Sequence, residues 1–342
     1  QAAKTLPVTA ADIYEITVGA NTTMVHLLAG IDPASMGKAP YLPAFEGPLI
    51  LAAKDLQLPG AEICQVYCIP AISAFVGGDI TAGILACGIR EAQKNVLFID
   101  IGTNGEMVLS KEGKMFACSC AAGPALEGMN ISCGVRAAGG AIEDICLQEE
   151  NGQLQVQLSV IGGQMPTGLC GSGLLAAIAE LNRAGILHKS GRFLDHPLVE
   201  KVNGKKRFVI DAAHEIYLTQ QDVRQVQLAK GAILSGIQAM LRANNMEETE
   251  IHKVVVAGQF GAHLKAESLT GAGLIPQGLE QAITYVGNTS KAGAYLCLLS
   301  APERTIAETI VRNIEYIELS RLEGYEDLFV KAMNFTSARE VS

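Results

Sequence analysis

The chain of 342 residues lacks tryptophan altogether and carries little charge, since only 18% of its residues are Asp, Glu, Lys or Arg. It has no cluster of basic residues, and its net charge of -9 argues against nucleic acid or an anionic membrane as a partner. No apolar run reaches the roughly 18 residues of a membrane-spanning helix, and no signal peptide opens the sequence. These absences predict a soluble protein of the cytoplasm.

The sequence also lacks any Cys-x-x-Cys pair, although it contains nine cysteines. Most of them lie in apolar segments, which is typical of buried, reduced thiols in a cytoplasmic protein. One group is dense enough to hold a metal or a cluster, and it consists of Cys118, Cys120, Cys133 and Cys170. Because no histidine lies at ligand spacing beside them, we predict structural thiols and keep a ligand set as the alternative.

Glycine and apolar residues are abundant: the chain has 36 glycines, and 49% of its residues are hydrophobic. Its length exceeds the usual size of one hydrophobic core, which predicts two domains or lobes. Strand-like and helix-like patterns alternate, which indicates an α/β protein with helices on the faces of its sheets. A long helix is predicted over residues 71–89, where small residues either allow a close helix crossing or weaken a core helix. Residues 186–208 read as a polar surface excursion.

The most informative segment begins with the apolar run Val96–Phe98, which predicts a buried strand. This strand delivers Asp100 into a turn of small residues, and a second strand follows at once from Met107. Such a turn brings backbone N–H groups, hydroxyls and a carboxylate close to a phosphate and its Mg²⁺. The alternative is an ordinary hairpin turn at Thr103-Asn104-Gly105.

Three further glycine-containing turns adjoin predicted strands or helices. Residues 168–173 open a helix, and the free N–H groups at such an N-terminus suit an anion, here at Gly171 and Ser172. A buried strand leads into the turn 258–261, at a strand end of the kind where open α/β sheets bind ligands. The segment 285–294 is another such turn and runs into a helix of small residues.

Two patterns of polar residues are also informative. Thr219 and Asp222 have the spacing of a capping box, which predicts the start of the amphipathic helix that follows. Arg136 is an isolated cation among glycines, a setting that suits an anion. We expect it instead to pair with Glu127 or Glu143.

The sequence resembles the nucleotide-binding core of the acetate and sugar kinase/Hsp70/actin superfamily in three features that occur in this order: the Asp-Ile-Gly-Thr hairpin, the Ala-Gly-Gln-Phe-Gly turn and the Gly-Asn-Thr-Ser-Lys-Ala-Gly-Ala helix start. Within it, the chain is most similar to the reductive activators of corrinoid proteins. The segments that carry this closer resemblance are residues 19–28, 75–80, 100–106, 118–128, 218–232 and 254–261. The resemblance covers nearly the whole chain. It implies an α/β fold, a two-lobed actin/Hsp70-like ATPase core with ribonuclease-H-like mixed sheets.

The resemblance implies ATP and Mg²⁺ as cofactors. Asp100 would be the metal-binding catalytic residue and hold a Mg²⁺-bound water, and Glu106 would be a second catalytic residue that positions or polarises water. Residues implied to contact phosphate are Gly102, Thr103, Asn104 and Gly105, to which the helix N-terminus adds Gly171 and Ser172. Residues implied to line the adenosine are Gly258, Gln259, Phe260, Gly261, Gly287 and Asn288. Ordinary turn glycines and, for Phe260, a core ring are the alternatives.

The sequence departs from the superfamily pattern near its beginning. There the first phosphate hairpin precedes the first connecting helix, whereas here the helix at 71–89 already precedes Asp100. Asp100 therefore begins the second hairpin, and the first lobe is expected to be incomplete. No cysteine spacing of a plant-type [2Fe–2S] domain occurs, so that cluster is expected only in a missing N-terminal domain. The predicted domains are 1–92, the remainder of the first lobe; 93–300, the second lobe; and 301–342, a C-terminal strand and helix.

The resemblance implies an enzyme that couples ATP to the reduction of a corrinoid methyl-carrier protein from Co(II) to Co(I), a repair of methyl transfer, and that forms a homodimer. This chain would be its ATP-binding and corrinoid-protein-docking part. One alternative is a small-molecule kinase of the superfamily. A second is the activator of 2-hydroxyacyl-CoA dehydratases, with a cluster shared at a dimer interface, to which Cys118, Cys120, Cys133 or Cys170 would contribute. A third is a docking module that does not turn over ATP.

Overall fold

The structure is a computed structural model that describes residues 8–45, 47–258 and 264–336. Its strands are β1 (Glu15–Val18), β2 (Leu49–Ala52), β3 (Gln65–Cys68), β4 (Val96–Ile101), β5 (Gly105–Lys111), β6 (Lys114–Cys120), β7 (Ala141–Glu150), β8 (Gln153–Val160), β9 (Gly168–Leu169), β10 (Val199–Val202), β11 (Lys205–Asp211), β12 (Ile216–Thr219), β13 (Lys253–Ala257), β14 (Ile283–Gly287) and β15 (Ile314–Tyr316). Its α-helices are α1 (Thr22–Leu28), α2 (Gly78–Ala86), α3 (Gly171–Arg183), α4 (Gln220–Ala243), α5 (Ala266–Gly271), α6 (Thr289–Leu299), α7 (Ala301–Asn313) and α8 (Tyr325–Ala332).

The strands form one six-stranded sheet and three sheets of three strands. The six-stranded sheet has the order β14-β13-β4-β5-β6-β15, and β13 runs parallel to β14. In the sheet β1-β3-β2, strand β3 is parallel to β1 and antiparallel to β2. In the sheet β8-β7-β9, strand β7 is antiparallel to β8 and parallel to β9. These two three-stranded sheets are therefore mixed, as the predicted fold class requires, whereas the sheet β10-β11-β12 is antiparallel throughout.

The chain divides into two compact units. The first takes the chain up to Phe98 together with residues 108–118 and 288–317. Its core includes the buried residues Tyr67, Ile69 and Cys297. Helices α2 and α6 cross here so closely that a Cβ on Gly293 would lie 2.2 Å from the carbonyl oxygen of Ala82. Of the two interpretations of the small residues, this close approach favours a helix crossing.

The second unit comprises residues 99–107, residues 119–287 and the chain from residue 318 onward. Helix α3 buries Leu174, Ile178 and Leu181 completely, which is the apolar stripe of an amphipathic helix. Helix α4 begins with the predicted capping box of Thr219 and Asp222. The domain boundaries predicted from the sequence, after residues 92 and 300, rest on a different criterion and remain predictions.

Two sequence-based assignments are wrong. The helix predicted over residues 71–89 begins only at Gly78, because the Ser73 hydroxyl accepts hydrogen bonds from the backbone N–H groups of Phe75 and Val76 and holds this segment in a turn. Residues 186–208 are not a simple surface excursion, since they contain β10 and part of β11. Among the described residues, no helix combines the length and the apolar character that crossing a bilayer requires.

Lys230 is a buried cation within α4, with only 1% of its surface exposed. Its Nζ donates hydrogen bonds of 2.6 Å to the carbonyl oxygen of Ala332 and 2.7 Å to that of Asn334. These acceptors lie at and after the end of α8, so the ammonium group joins α4 to the C-terminal segment. Burial lowers the pKa of Lys230 to about 8.

This lowered pKa predicts a dependence of stability on pH. The unfolded chain retains the lysine proton up to a pH of about 10.5, whereas the folded chain loses it from about 8. Between these values the unfolded state binds more protons, so the contribution of Lys230 to the free energy of unfolding rises with pH. We expect a gain of about 2 kcal/mol from pH ~7.5 to pH ~9.5. Urea unfolding of wild type and Lys230→Met at both pH values tests this, because the gain should disappear in the variant; an equal pH dependence of both proteins would contradict the prediction.

Candidate functional site

The predicted hairpin forms at the end of a buried strand. Strand β4 buries its apolar residues and leaves Asp100 half-buried near its last position. The turn to β5 is closed by a hydrogen bond of 2.9 Å from the backbone N–H of Gly102 to the carbonyl oxygen of Asn104. Strand, carboxylate and tight turn therefore occur in the order that the sequence predicts.

Gly258 follows β13 and packs against this hairpin. A Cβ on Gly258 would lie 2.6 Å from the carbonyl oxygen of Ile101 and 3.4 Å from Oδ1 of Asp100. Its backbone N–H donates a 3.1 Å hydrogen bond to the carbonyl oxygen of Gly287, at the end of the neighbouring strand β14. The structure thus brings together three predicted site residues that are far apart in sequence, namely Asp100, Gly258 and Gly287.

Gly258 should not tolerate a side chain. Its φ of +108° is rare for other residues, and Gly258→Ala would place a methyl group against the Ile101 carbonyl. We expect this variant to lose about 2–3 kcal/mol of stability. Gly185→Ala is the matched control, because Gly185 has a φ of +67° with open space around the added atom; it should lose only about 1 kcal/mol. Chemical denaturation measures both, and equal losses would contradict the close contact.

A second loop meets the tip of the hairpin. The backbone N–H of Gly123 donates a 2.7 Å hydrogen bond to the carbonyl oxygen of Thr103. A single 3-10 turn, Pro124–Glu127, follows. The Thr103 hydroxyl donates a 2.7 Å hydrogen bond to Oε1 of Glu127. Glu127, one of the two carboxylates expected to pair with Arg136, therefore bonds a predicted phosphate-binding residue.

Glu127 is a site residue that was not predicted from the sequence. The available signal was an acidic residue in the first turn after β6. Nothing local connects that turn to the hairpin tip, because the contact depends on how the two loops fold together.

Asp79, in the first turn of α2 in the first unit, was also given no role from the sequence. Burial raises the pKa of the Asp79 carboxyl, and such a group is suited to hold a proton.

Glu106 of β5 lies close to Cys120 of the neighbouring strand β6. Burial raises the pKa of Cys120 to about 12, and the nearby charge of Glu106 adds to the rise. In this environment burial disfavours the thiolate form of Cys120. The buried Cys170 donates its own thiol proton to the carbonyl oxygen of Ile142, over 3.2 Å.

The predicted cysteine group is not assembled as a ligand set. Cys118 and Cys120 are buried within β6, while Cys133 lies in a separate loop with its Sγ 3.8 Å from the carbonyl oxygen of Glu215. In the part of the chain that the structure describes, no three His, Cys, Asp or Glu side chains are placed to share a metal ion. These observations favour structural thiols over a cluster bound by this chain.

The remaining predicted site residues have other neighbours or lie outside the described residues. Helix α3 begins at Gly171, and the Ser172 hydroxyl lies 3.3 Å from Sγ of Cys170 in a buried position. A role of these two in anion binding remains a prediction. Asn288 caps α6, since its Oδ1 accepts a 2.8 Å hydrogen bond from the backbone N–H of Lys291. Gln259, Phe260 and Gly261 lie outside the described residues.

Mixed sheets, a strand–aspartate–turn hairpin and a glycine close to that aspartate are features of an actin/Hsp70-like domain. Family models agree with this class. The one described as the C-terminal domain of RACo, the ASKHA domain, matches residues 94–341, and the one described as the RACo middle region matches residues 1–92. The chain belongs to this family, and both the predicted fold class and the resemblance to corrinoid activators are confirmed.

Named relatives and a solved structure agree with the family. The chain is 34% identical to the corrinoid activation enzyme RamQ of Eubacterium limosum, over 94% of this chain and 56% of the relative. It is 26% identical to the [Co(II) methylated amine-specific corrinoid protein] reductase of Methanosarcina barkeri, over 80% of this chain and 52% of that protein. A solved reductive activator for corrinoid, iron-sulfur protein superimposes with a TM-score of 0.88 and 36% identity, covering 97% of this chain and 54% of that one. The chain thus spans about half the length of these relatives.

Proposed function

We propose that this chain is the ATP-binding and corrinoid-protein-docking part of an ATP-dependent reductive activator, an enzyme that returns a corrinoid methyl-carrier protein from Co(II) to Co(I). The observation that carries the proposal is the close approach of Gly258 to Asp100, where an added Cβ would lie 3.4 Å from Oδ1, within a domain of the RACo family. The names of the relatives in that family supply the corrinoid protein as the partner.

The residues present fit Mg²⁺ and a nucleotide. The carboxylate of Asp100 and the hydroxyl of Thr103 are hard oxygen donors of the kind that Mg²⁺ prefers. A methyl group on Gly258 would lie 3.4 Å from Oδ1 of Asp100 and crowd the carboxylate. When bound, Mg·ATP supplies the free energy of its binding and hydrolysis. Asp100 would orient a metal-bound water, the backbone of residues 102–105 would contact phosphate oxygens, and Glu106 would polarise the attacking water.

The purpose of such a site follows from the chemistry of the substrate. Reduction adds one electron to Co(II), and we propose that a [2Fe–2S] cluster outside this chain donates it. The Co(II)/Co(I) potential is too low for ordinary donors, so the activator has to bind the Co(II) protein in a state that raises it. Release of the reduced protein then has to be driven. ATP can drive it only through different affinities for the two states of the complex.

The direct test is ATP hydrolysis by this chain with and without a Co(II)-corrinoid methyl-carrier protein. Hydrolysis stimulated by the corrinoid protein is the expected result, with the absorbance of Co(I) appearing only when an electron donor is added. Absence of turnover in every mixture would refute ATP coupling by this chain. Pull-down of the corrinoid protein without any effect of nucleotide would then favour a docking module.

The proposal also includes a cytoplasmic location and a homodimer. No disulfide joins any of the nine cysteines, all of which lie among the described residues, and this supports a reducing compartment such as the cytoplasm. Helix α6 exposes large apolar side chains, with Tyr295 61% and Leu299 67% exposed. These support self-association as a homodimer. Sedimentation velocity distinguishes a dimer from a monomer.

A further inference from the structure

The hydrogen bond between Thr103 and Glu127 determines which way the threonine hydroxyl faces. The hydroxyl has one proton and two lone pairs. Its proton is directed to Oε1 of Glu127 over 2.7 Å. Only lone pairs then remain for any other neighbour. In this arrangement Thr103 can accept from, or coordinate to, a ligand at the hairpin tip, but it cannot donate to a phosphate oxygen.

Glu127 is held in place by the fold. The two residues before it, Ala125 and Leu126, are buried, with 2% and 0% of their surface exposed. On the other side the loop is tied to the hairpin through the hydrogen bond from Gly123 to Thr103. The carboxylate is half-buried, and Oε1 lies 3.9 Å from the position of a Cβ on Gly102. Its location beside the turn is therefore a property of the second unit and not of a loose side chain.

The charge of Glu127 is unfavourable to phosphate alone. The turn that it adjoins follows directly on Asp100, so two carboxylates belong to the surface proposed for the phosphates. Carboxylates and phosphate are all negative and repel one another. A divalent cation placed between the carboxylates and the phosphate attracts both, so the net interaction becomes favourable. A hydroxyl that offers lone pairs suits the same cation.

We propose that Glu127 is a positioning residue that makes the chain's affinity for ATP depend on a divalent cation. It directs the lone pairs of Thr103 toward the cation, and its charge opposes phosphate when the cation is absent. This inference rests on the proposed nucleotide site at Asp100. It adds a role for Glu127. Loss of the Glu127 charge should weaken ATP binding when Mg²⁺ is present and strengthen it when Mg²⁺ is absent.

Calorimetric titration of ATP into the chain, once with Mg²⁺ and once with EDTA, tests the role. Glu127→Gln should raise the Kd for ATP with Mg²⁺ about tenfold and lower the Kd with EDTA about threefold. Thr103→Val should also weaken binding with Mg²⁺, and the double variant should lose less affinity than the two single losses combined, because part of the effect of Glu127 acts through the hydroxyl. With EDTA the effect of the charge should persist in the double variant.

Two variants separate this role from simple structural damage. Glu127→Asp keeps the charge, so it should retain the wild-type Kd with EDTA. Glu149→Gln removes one charge from an exposed position of β7 and should change neither Kd. Weaker binding of Glu127→Gln under both conditions would overturn the inference while leaving the nucleotide site intact. Failure of the wild-type chain to bind ATP under either condition would instead overturn the proposed function, and this inference with it.

Discussion

Asp100→Asn is expected to weaken the Mg²⁺-dependent binding of ATP, and to lower the corrinoid-stimulated turnover of ATP, by about 100-fold or more. The substitution keeps the size of the side chain and removes its charge. The loss therefore reports on the carboxylate as a holder of Mg²⁺ and its water. Oδ1 lies 3.4 Å from the position of a Cβ on Gly258, so there is little room for a larger side chain. Asparagine is therefore chosen because it has nearly the same size as aspartate. Calorimetry gives the affinity, and phosphate release gives the turnover.

Asp327→Asn provides the control for this experiment. Asp327 is an exposed carboxylate in the first turn of α8, in the same unit as Asp100. Its removal changes the net charge by the same amount and should leave both measurements unaltered. If Asp100→Asn binds Mg·ATP as the wild type does, Asp100 is not the metal residue. The proposed role of the hairpin would then be wrong.

The local part of the site could be predicted from the sequence, whereas its assembly could not. A buried strand that ends in an aspartate and small residues specifies the hairpin through its own chemistry, and it forms as predicted. The close approach of Gly258 to Asp100 joins segments that are distant in sequence. The sequence predicted a turn in each segment, but not that the two would meet. Glu127 is the clearest case, because its partner Thr103 is chosen by the packing of two loops and by no spacing in the sequence.

The errors in the fold have similar causes. Residues 71–77 have the small apolar composition of a helix, but the side chain of Ser73 holds them in a turn before α2 begins. Strand β11 opens with three basic residues, which hid its alternation, although Phe208 and Ile210 are buried. In both segments the composition favoured the wrong structure. A side-chain hydrogen bond determines the structure of the first segment, and one buried face determines that of the second.

Asp222 links α4 to the loop that follows Glu127. Its exposed fraction is 1%. Oδ1 accepts hydrogen bonds from the backbone N–H and the hydroxyl of Ser132, at 2.8 and 3.1 Å. Oδ2 accepts from the backbone N–H and the hydroxyl of Thr219, at 2.8 and 2.7 Å. One carboxylate thus satisfies four donors, two from the helix cap and two from a segment 90 residues away in sequence.

Asp222→Ala is therefore expected to destabilise the second unit by about 3–5 kcal/mol, because it leaves buried donors without acceptors and removes a helix cap. Asp222→Asn retains one carbonyl oxygen and should lose less. Thr9 and Asp12 supply a matched control, since they form the same capping box at an exposed position. Asp12→Ala should leave the unfolding midpoint nearly unchanged. Urea denaturation of the three variants compares them. A loss for Asp222→Ala no larger than that for Asp12→Ala would show that burial and the bonds to Ser132 add nothing to the cap.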